Sequence, residues 1–321
     1  MPNTTTPRTK AFIALHSAVF LWGFTAILGK LISYGSLYLV WHRMAITATV
    51  YLMLPAVWKQ LKSLSPKTII NFAGIGLIVC AHWITFYGSI KLGNSVSITL
   101  ACLGSASFFA AIIEPLVLRK SFSFRDILMG LIVMLGIVLI YFSLPAQPKA
   151  TAAQPNLSYG WAIITGILSA ALAATFTTLN KKHIQSAPTL AISTIEMISG
   201  AIFLSVIICL FPTGDYQSLP SINLSAMTLQ NLQSGPWDFV WIALLAVLCT
   251  NLTFYLGTYA LKQLSAFTSN LTVNLEPIYG IVLGALIFNE NKDLNLWFYL
   301  GACIILGAIF TQAILSSREK H

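Results

Sequence analysis

Apolar stretches of about twenty residues alternate with short polar breaks along the chain. They fall at roughly 11–32, 37–58, 68–90, 95–118, 125–144, 159–180, 188–211, 238–261, 266–288 and 294–315. About 20 apolar residues, rising 1.5 Å each, cross the hydrocarbon core of a bilayer as an α-helix. The pattern predicts an all-α integral membrane protein with ten transmembrane helices. The breaks carry turn and charge signals, among them Tyr34-Gly35-Ser36, Ser65-Pro66-Lys67, Gly93-Asn94, Arg119-Lys120 and Asn289-Glu290-Asn291. Two breaks are longer: 145–158, rich in Pro, Ala and Gln, and 212–237, polar with several Pro and Gly. The first stretch follows Arg8 and Lys10, as the apolar region of a signal peptide would. It runs about twenty residues without a clear small-residue cleavage site, so it reads as retained.

Composition closes off other classes. Apolar residues are 57% of the 321 and charged residues 8%, against about 25% charged in a soluble domain. A soluble enzyme, a nucleic-acid partner and a disordered chain are all excluded by that ratio. The net charge of +9 would suggest a basic face in a soluble protein. Here its distribution reads as membrane topology. With the N-terminus inside and ten alternating spans, thirteen of the 18 Lys and Arg fall on the inner side. Only Lys30, Lys91, Lys149 and Lys292 fall outside, and Arg43 lies within a span. Both termini are then expected in the cytoplasm. Cys80, Cys102, Cys209, Cys249 and Cys303 each lie in an apolar run, without CxxC spacing, and read as small hydrophobes.

The two halves resemble each other. A shift of 171 residues places Lys91 on Lys262, Leu100 on Leu271, Phe108 on Tyr279, and Gly130 and Gly136 on Gly301 and Gly307. Ile84-Thr85-Phe86-Tyr87-Gly88 looks like Leu252-Thr253-Phe254-Tyr255-Leu256, and a shift of 153 puts Arg43 on Glu196. Two repeats of five spans follow, 1–150 and 155–321. Five is odd, so the second repeat enters the membrane inverted. Inverted repeats build secondary transporters with a site near the midplane, because exchanging the conformations of the halves exchanges inward and outward access.

Several segments carry a family resemblance: Trp22-Gly23, Arg43, Ala260-Leu261-Lys262-Gln263-Leu264-Ser265-Ala266, Leu275-Glu276-Pro277 and Asn289-Glu290. Across about residues 11–315 the chain resembles the drug/metabolite transporter superfamily, in particular its ten-span EamA-type members. The first half departs from the pattern, with Ser105-Ala106 where Glu276-Pro277 stands and Arg119 where Glu290 stands. The resemblance implies ten helices around a central cavity and export, less often uptake, of small metabolites such as amino acids. A monomer is the expected state, and a dimer is compatible with it.

Charges within a bilayer cost about 2.5–3.5 kcal/mol each on insertion scales, so each needs a reason. Glu276 shares a helix face with Thr272, Tyr279 and Gly280, and Pro277 after it frees a backbone carbonyl near midspan. It reads as a ligand for a substrate ammonium or a proton-coupling carboxylate, or else as a structural kink. Asn270 and Asn274 lie one turn apart on a neighbouring face. Arg43 is a candidate ligand for a substrate carboxylate, or the partner of Glu196 or Glu276. The two readings of Glu196 mirror those of Arg43. Glu114 reads as a local pair with Arg119 or Arg125. His82, beside His42 and His16, is a packing residue or a proton relay. Trp22, Trp83 and Tyr87 line a cavity or pack in the core, whereas Trp58, Trp161, Trp237, Trp241 and Trp297 read as interface anchors. Gly280 and Gly284 form a GxxxG pair for close helix approach.

The candidate substrate-binding set is therefore Glu276, Arg43, Asn274, Trp22, His82, Tyr87, Tyr279 and Glu196. No metal spacing, cofactor motif or Walker P-loop is present in the sequence. No catalytic residue, metal or cofactor is expected, and a proton gradient or downhill flow is left as the drive. The leading expectation is a multi-pass exporter in a bacterial inner membrane, with a small molecule, the lipid bilayer and protons as partners and no nucleic acid. The alternatives are an intramembrane enzyme on lipid-like substrates, for which Asp126, Asp215, Asp238 and Asp293 are too scattered, and a channel or sensor.

Overall fold

The computed structural model describes residues 7–144, 158–211, 235–261, 264, 272–273 and 275–318. Most of the two long loops, the opening of the ninth apolar stretch, and Lys262, Asn270 and Asn274 lie outside the described residues. Every one of the ten apolar stretches holds a helix or part of one, and no strand occurs among the described residues.

In chain order the helices are α1 (Pro7–Leu31), α2 (Ser36–Leu52), α3 (Pro55–Lys62), α4 (Pro66–Gly93), α5 (Val96–Leu103), α6 (Ala106–Leu118), α7 (Phe124–Ser143), α8 (Tyr159–His183) and α9 (Thr189–Leu210). After them come α10 (Asp238–Ala246), a π-helical segment (Val247–Leu252), α11 (Thr253–Leu261), α12 (Glu276–Phe288) and α13 (Leu296–Arg318). Serine side chains open four of them. Ser65, Ser95, Ser123 and Ser158 accept the backbone N–H three residues on, at 3.2–3.4 Å, which satisfies one of the orphan donors of a helix start. Three helices end on a residue in the left-handed region: Asn94, Arg119 and Asn289.

Among the described residues seven helical segments are long and apolar enough to cross a membrane, α5 with α6 and α10 through α11 each counting as one, and eight if α2 and α3, bent by 90°, form one span. The second stretch, read as 37–58, thus breaks earlier than expected. Pro55 forces Leu54 into extended backbone and starts α3 in a new direction. The fourth stretch breaks at Gly104-Ser105 into α5 and α6. Large apolar side chains face outward along the bundle, Phe124, Phe142 and Leu286 among them, and only lipid can cover so much of that surface.

Helix crossings are set by glycines. Gly23 of α1 lies against the backbone of α12, where an added Cβ would sit 3.1 Å from the Glu276 carbonyl oxygen and the Gly280 nitrogen. Gly280 in turn faces the Gly23 carbonyl, so the expected close approach through the Gly280/Gly284 pair is met by α1 and α5. Gly136 of α7 and Gly301 of α13 pack on each other's carbonyls. The largest apolar core gathers α1, α2, α4, α9 and α10, while a second joins α5, α7, α8 and α13. These contacts hold the polar side chains of α1, α2, α4 and α12 toward one another. Gly23→Val is expected to destabilise the protein by about 1–3 kcal/mol through overpacking, read as thermal unfolding in detergent. Gly74→Ala, with nothing within 4 Å of its added Cβ, is expected to leave unfolding unchanged or raised.

Candidate functional site

Arg43 anchors the polar interior. It is 5% exposed, and a guanidinium keeps its charge at any accessible pH, so it must find partners inside. Its Nη1 donates to the Tyr87 hydroxyl at 2.7 Å and its Nε to Thr250 Oγ1 at 3.0 Å. The guanidinium carbon stacks over the Trp83 ring at 3.7 Å, a cation–π geometry. Trp83 and Tyr87 are one turn apart on α4 and so present to the same side. Thr250 is delivered by the π segment. The wider turn lets its hydroxyl donate to the Leu245 carbonyl five residues back while accepting from Arg43. π segments recur at functional sites because one extra residue re-aims the side chains around it.

Trp22 is placed by the same segment. Its Nε1 donates to Thr253 Oγ1 at 3.0 Å, and that hydroxyl donates to the Cys249 carbonyl. The Trp22-Gly23 pair therefore has two structural jobs: a hydrogen bond to the π segment's end and a close crossing with α12. Tyr279 packs on Phe20 of α1, and its hydroxyl lies 3.4 Å from His16 Nδ1.

Glu276 stands just after a break, with Thr272 and Val273 helical before it. Leu275 is a turn residue, α12 starts at Glu276, and Pro277 occupies the first turn, where its missing N–H has no consequence. The carboxylate thus sits at the positive end of a helix dipole and within electrostatic reach of Arg43 and Tyr87. No ion pair joins Arg43 to a carboxylate among the described residues. A cation and an anion thus lie within electrostatic reach with no ion pair between them. Asn274 lies outside the described residues.

Two candidates fall elsewhere. Glu196 is buried where α9 crosses α4, against Gly76 and beside Asn180 and Tyr51. Neither of the two pairings considered for Arg43, with Glu196 or with Glu276, is made as an ion pair among the described residues. His82 faces α8, where Nδ1 donates to the Ser169 carbonyl at 2.9 Å and the ring packs on Phe86 and Phe176. Glu114 pairs with Lys120 at 3.1 Å and Lys181 at 2.7 Å, in place of the expected Arg119 or Arg125. Arg119 is taken up as the left-handed cap of α6. A groove of about 350 Å³ lies between α4 and α8, lined by Ile70, Asn71, Gly74, Ile75, Ile78, Leu179 and His183, apart from the Arg43 cluster.

Sequence reasoning missed Thr250 and Thr253, whose small hydroxyls carry no signal in an apolar run until the π turn aims them. It also missed a buried ionic seal. The Glu290 carboxylate accepts from the Val96 and Ser97 N–H groups at 2.9 Å each, from Ser95 Oγ at 3.1 Å and from Lys30 Nζ at 2.8 Å. Lys30 also donates to the Asn94 carbonyl at 2.6 Å and lies over the Phe288 ring. At the same end Asp238 accepts from the Ser33 N–H at 2.7 Å and from its hydroxyl, and Lys91 donates to the Ile32 carbonyl. These bonds tie the ends of α1, α4, α10 and α12 to the start of α5. Burial alone would raise the Glu290 carboxyl, but Lys30 and the donors at Ser97 and Val96 outweigh it and hold the group below its ordinary 4.5.

The sequence pattern of the EamA-like transporter family matches residues 9–142 and 160–312. A relative from Bacillus subtilis (strain 168), named an uncharacterized transporter, YetK, is 22% identical over 321 residues, covering 95% of this chain and 87% of its own. A solved crystal structure aligns over 97% of this chain and 99% of its own with a TM-score of 0.60 at 14% identity. That likeness shows a shared fold.

The depressed Glu290 carboxyl gives a signed pH dependence. Its stabilisation is fully present above the ordinary carboxylate value of 4.5 and is lost as pH falls through its lowered folded value. Thermal unfolding of wild type and Glu290→Gln in detergent is expected to differ by about 1–3 kcal/mol near neutral pH. The difference should shrink steadily below about pH 4.5.

Proposed function

Because the chain belongs to the EamA-like transporter family, which makes it a membrane transporter of small molecules, we propose that it is a secondary transporter exporting a small zwitterion, an amino acid or a close relative, by alternating access. The observation that supports this reading is that Arg43 and Glu276 lie within electrostatic reach of each other with no ion pair between them among the described residues. Arg43 is charged, buried and held by neutral partners, so it suits a substrate carboxylate. Glu276 stands at a helix start beside it and suits the ammonium. Trp22, Trp83 and Tyr279 add apolar and hydroxyl lining, as ligand sites with few convergent polar groups do, while the fully buried Tyr87 holds Arg43 in place. Asn274, in the same segment as Glu276, joins the set on its sequence position.

Ten spans in two inverted five-helix repeats, 1–150 and 155–321, complete the proposal. Its supports are the two matched segments, one per half, and the likeness of α6 and α12. Each of these is 13 residues long and ends on a left-handed residue, Arg119 or Asn289. The charge bias orients both termini to the cytoplasm of a bacterial inner membrane. The Glu290 and Asp238 seal then closes the outer end, and the substrate enters from the inside. Outward release requires those bonds to open, which fits rocking of one repeat against the other. Transport of this kind involves no covalent step, and the chain works as a monomer.

The test is efflux from proteoliposomes loaded with a pool of L-amino acids, read by mass spectrometry with and without an imposed pH gradient. Wild type is expected to release a selective subset. Arg43→Gln and Glu276→Gln are expected to lose at least about tenfold of that flux, the worth of one lost interaction of about 1.4 kcal/mol. Trp161→Phe, at an exposed position on α8, is expected to behave as wild type. Release no faster than from empty liposomes, or full flux in Arg43→Gln, would overturn the proposal.

A further inference from the structure

A second buried acid lies outside the Arg43–Glu276 cluster. Glu196 is 4% exposed; Asn180 hydrogen-bonds its carboxylate, and its Oε1 has no hydrogen-bond partner. Among the described residues no cation pairs with it. Two further buried polar atoms near it, Asn180 Oδ1 and, one turn earlier on α9, Ser193 Oγ, are unpartnered as well. Clusters of unsatisfied buried polar atoms are rare in native proteins and call for an explanation. An unpaired carboxylate charge held there is costly, and the least demanding cation that relieves it is a proton.

The surroundings supply a route and a link. Ile75 and Leu179, in the lining of the α4–α8 groove, adjoin Gly76 and Asn180, the residues packed on Glu196. The groove carries Asn71 and His183. On the other side, Arg43, Thr47 and Tyr51 form one stripe of α2 at helical spacing, about 12 Å from first to last. Asn251 Nδ2 donates to the Thr47 carbonyl at 3.3 Å and lies beside Tyr51. Its neighbour Thr250 accepts from Arg43. One stripe and one π turn therefore connect the two acids' surroundings.

We propose that Glu196 is the proton-binding site of this transporter, separate from the substrate site, reached through the α4–α8 groove and linked to Arg43 along α2 and the π segment. The proton bonds to the free Oε1, neutralises the carboxylate and leaves by the same oxygen in the other half of the cycle. The titratable groups on the packed elements are otherwise engaged or turned away. Arg43 is held by Thr250 and Tyr87, His82 by Ser169, and Lys181 by Glu114. His183 lies against Phe72, Lys59, Lys62 and Lys182 are exposed, and Cys80 and Cys249 are buried thiols. Tyr51 alone among them lies within the electrostatic reach of Glu196.

This assignment rests on the transport reading above, and its test separates the two. Infrared difference spectra of the full chain in liposomes, titrated between about pH 5 and about pH 9, report protonated carboxyl groups with the proton itself as probe. A titrating carboxylic-acid band is expected in wild type, lost in Glu196→Gln, shifted in Glu196→Asp and retained in Glu276→Gln. In amino-acid-loaded liposomes, Glu196→Gln is expected to keep exchange at equal pH and to lose the acceleration by a pH gradient. An unchanged band in Glu196→Gln would overturn the assignment. So would a wild type that exchanges amino acids but is indifferent to the gradient, or a Glu196→Gln variant that loses exchange as well. A wild type that moves no amino acid counts against the transport reading, while the band still decides whether Glu196 binds a proton.

Discussion

A guanidinium that cannot shed its charge, enclosed by apolar helices, is the constraint around which this molecule is arranged. Arg43 needs donors' partners on every side, and bulk water is not among the groups the fold offers it. The answer is drawn from three elements: a tyrosine and a tryptophan one turn apart on α4, and a threonine turned inward by the π segment. The π segment is itself irregular backbone of the kind tolerated inside a membrane only where it is buried in protein. Its extra residue serves two partners at once, since Thr250 meets Arg43 and Thr253 meets Trp22.

The same constraint shapes the neighbouring helices. For Glu276 to approach Arg43, α12 must begin inside the bundle and come close to α1. The glycines at 23 and 280 allow that approach, backbone against backbone, and Pro277 suits a helix start where an N–H would be surplus. The far end of α12 is then held by Glu290, which serves as an anionic cap for α5 while pairing with Lys30. A carboxylate bound by two backbone amides, a hydroxyl and an ammonium is a rigid joint. It links elements from the two halves of the chain, so any opening at that end must break it.

Much of this was legible residue by residue. Twenty-residue apolar runs marked the helices, because a bilayer admits few other ways to satisfy backbone hydrogen bonds. The Ser65-Pro66-Lys67 break coincides with a helix start, where Ser65 caps α4 and Pro66 takes its first position. Arg43 and Glu276 stood out because a charge in an apolar run demands a reason. The partners of these charges were far less legible. The segments around Tyr87 and Tyr255 look alike, yet Tyr87 is buried against Arg43 and Tyr255 faces outward at 64% exposure. Glu114 chose Lys120 and Lys181 over the nearer-seeming Arg119, which the cap of α6 had claimed.

The sequence by itself determined the class of protein, the places where helices run and the short list of buried charges. Those follow from hydropathy and local backbone chemistry, which act over one or two helical turns. Tertiary structure alone decided that Arg43 meets Tyr87, Trp83 and Thr250, that Glu114 meets Lys120 and Lys181, and that Lys30 meets Glu290 across the chain. Each of these depends on how helices distant in sequence rotate and cross. Those rotations are set by glycine contacts and a π turn, whose effect on a side chain's direction becomes visible only when the neighbouring helix is in place.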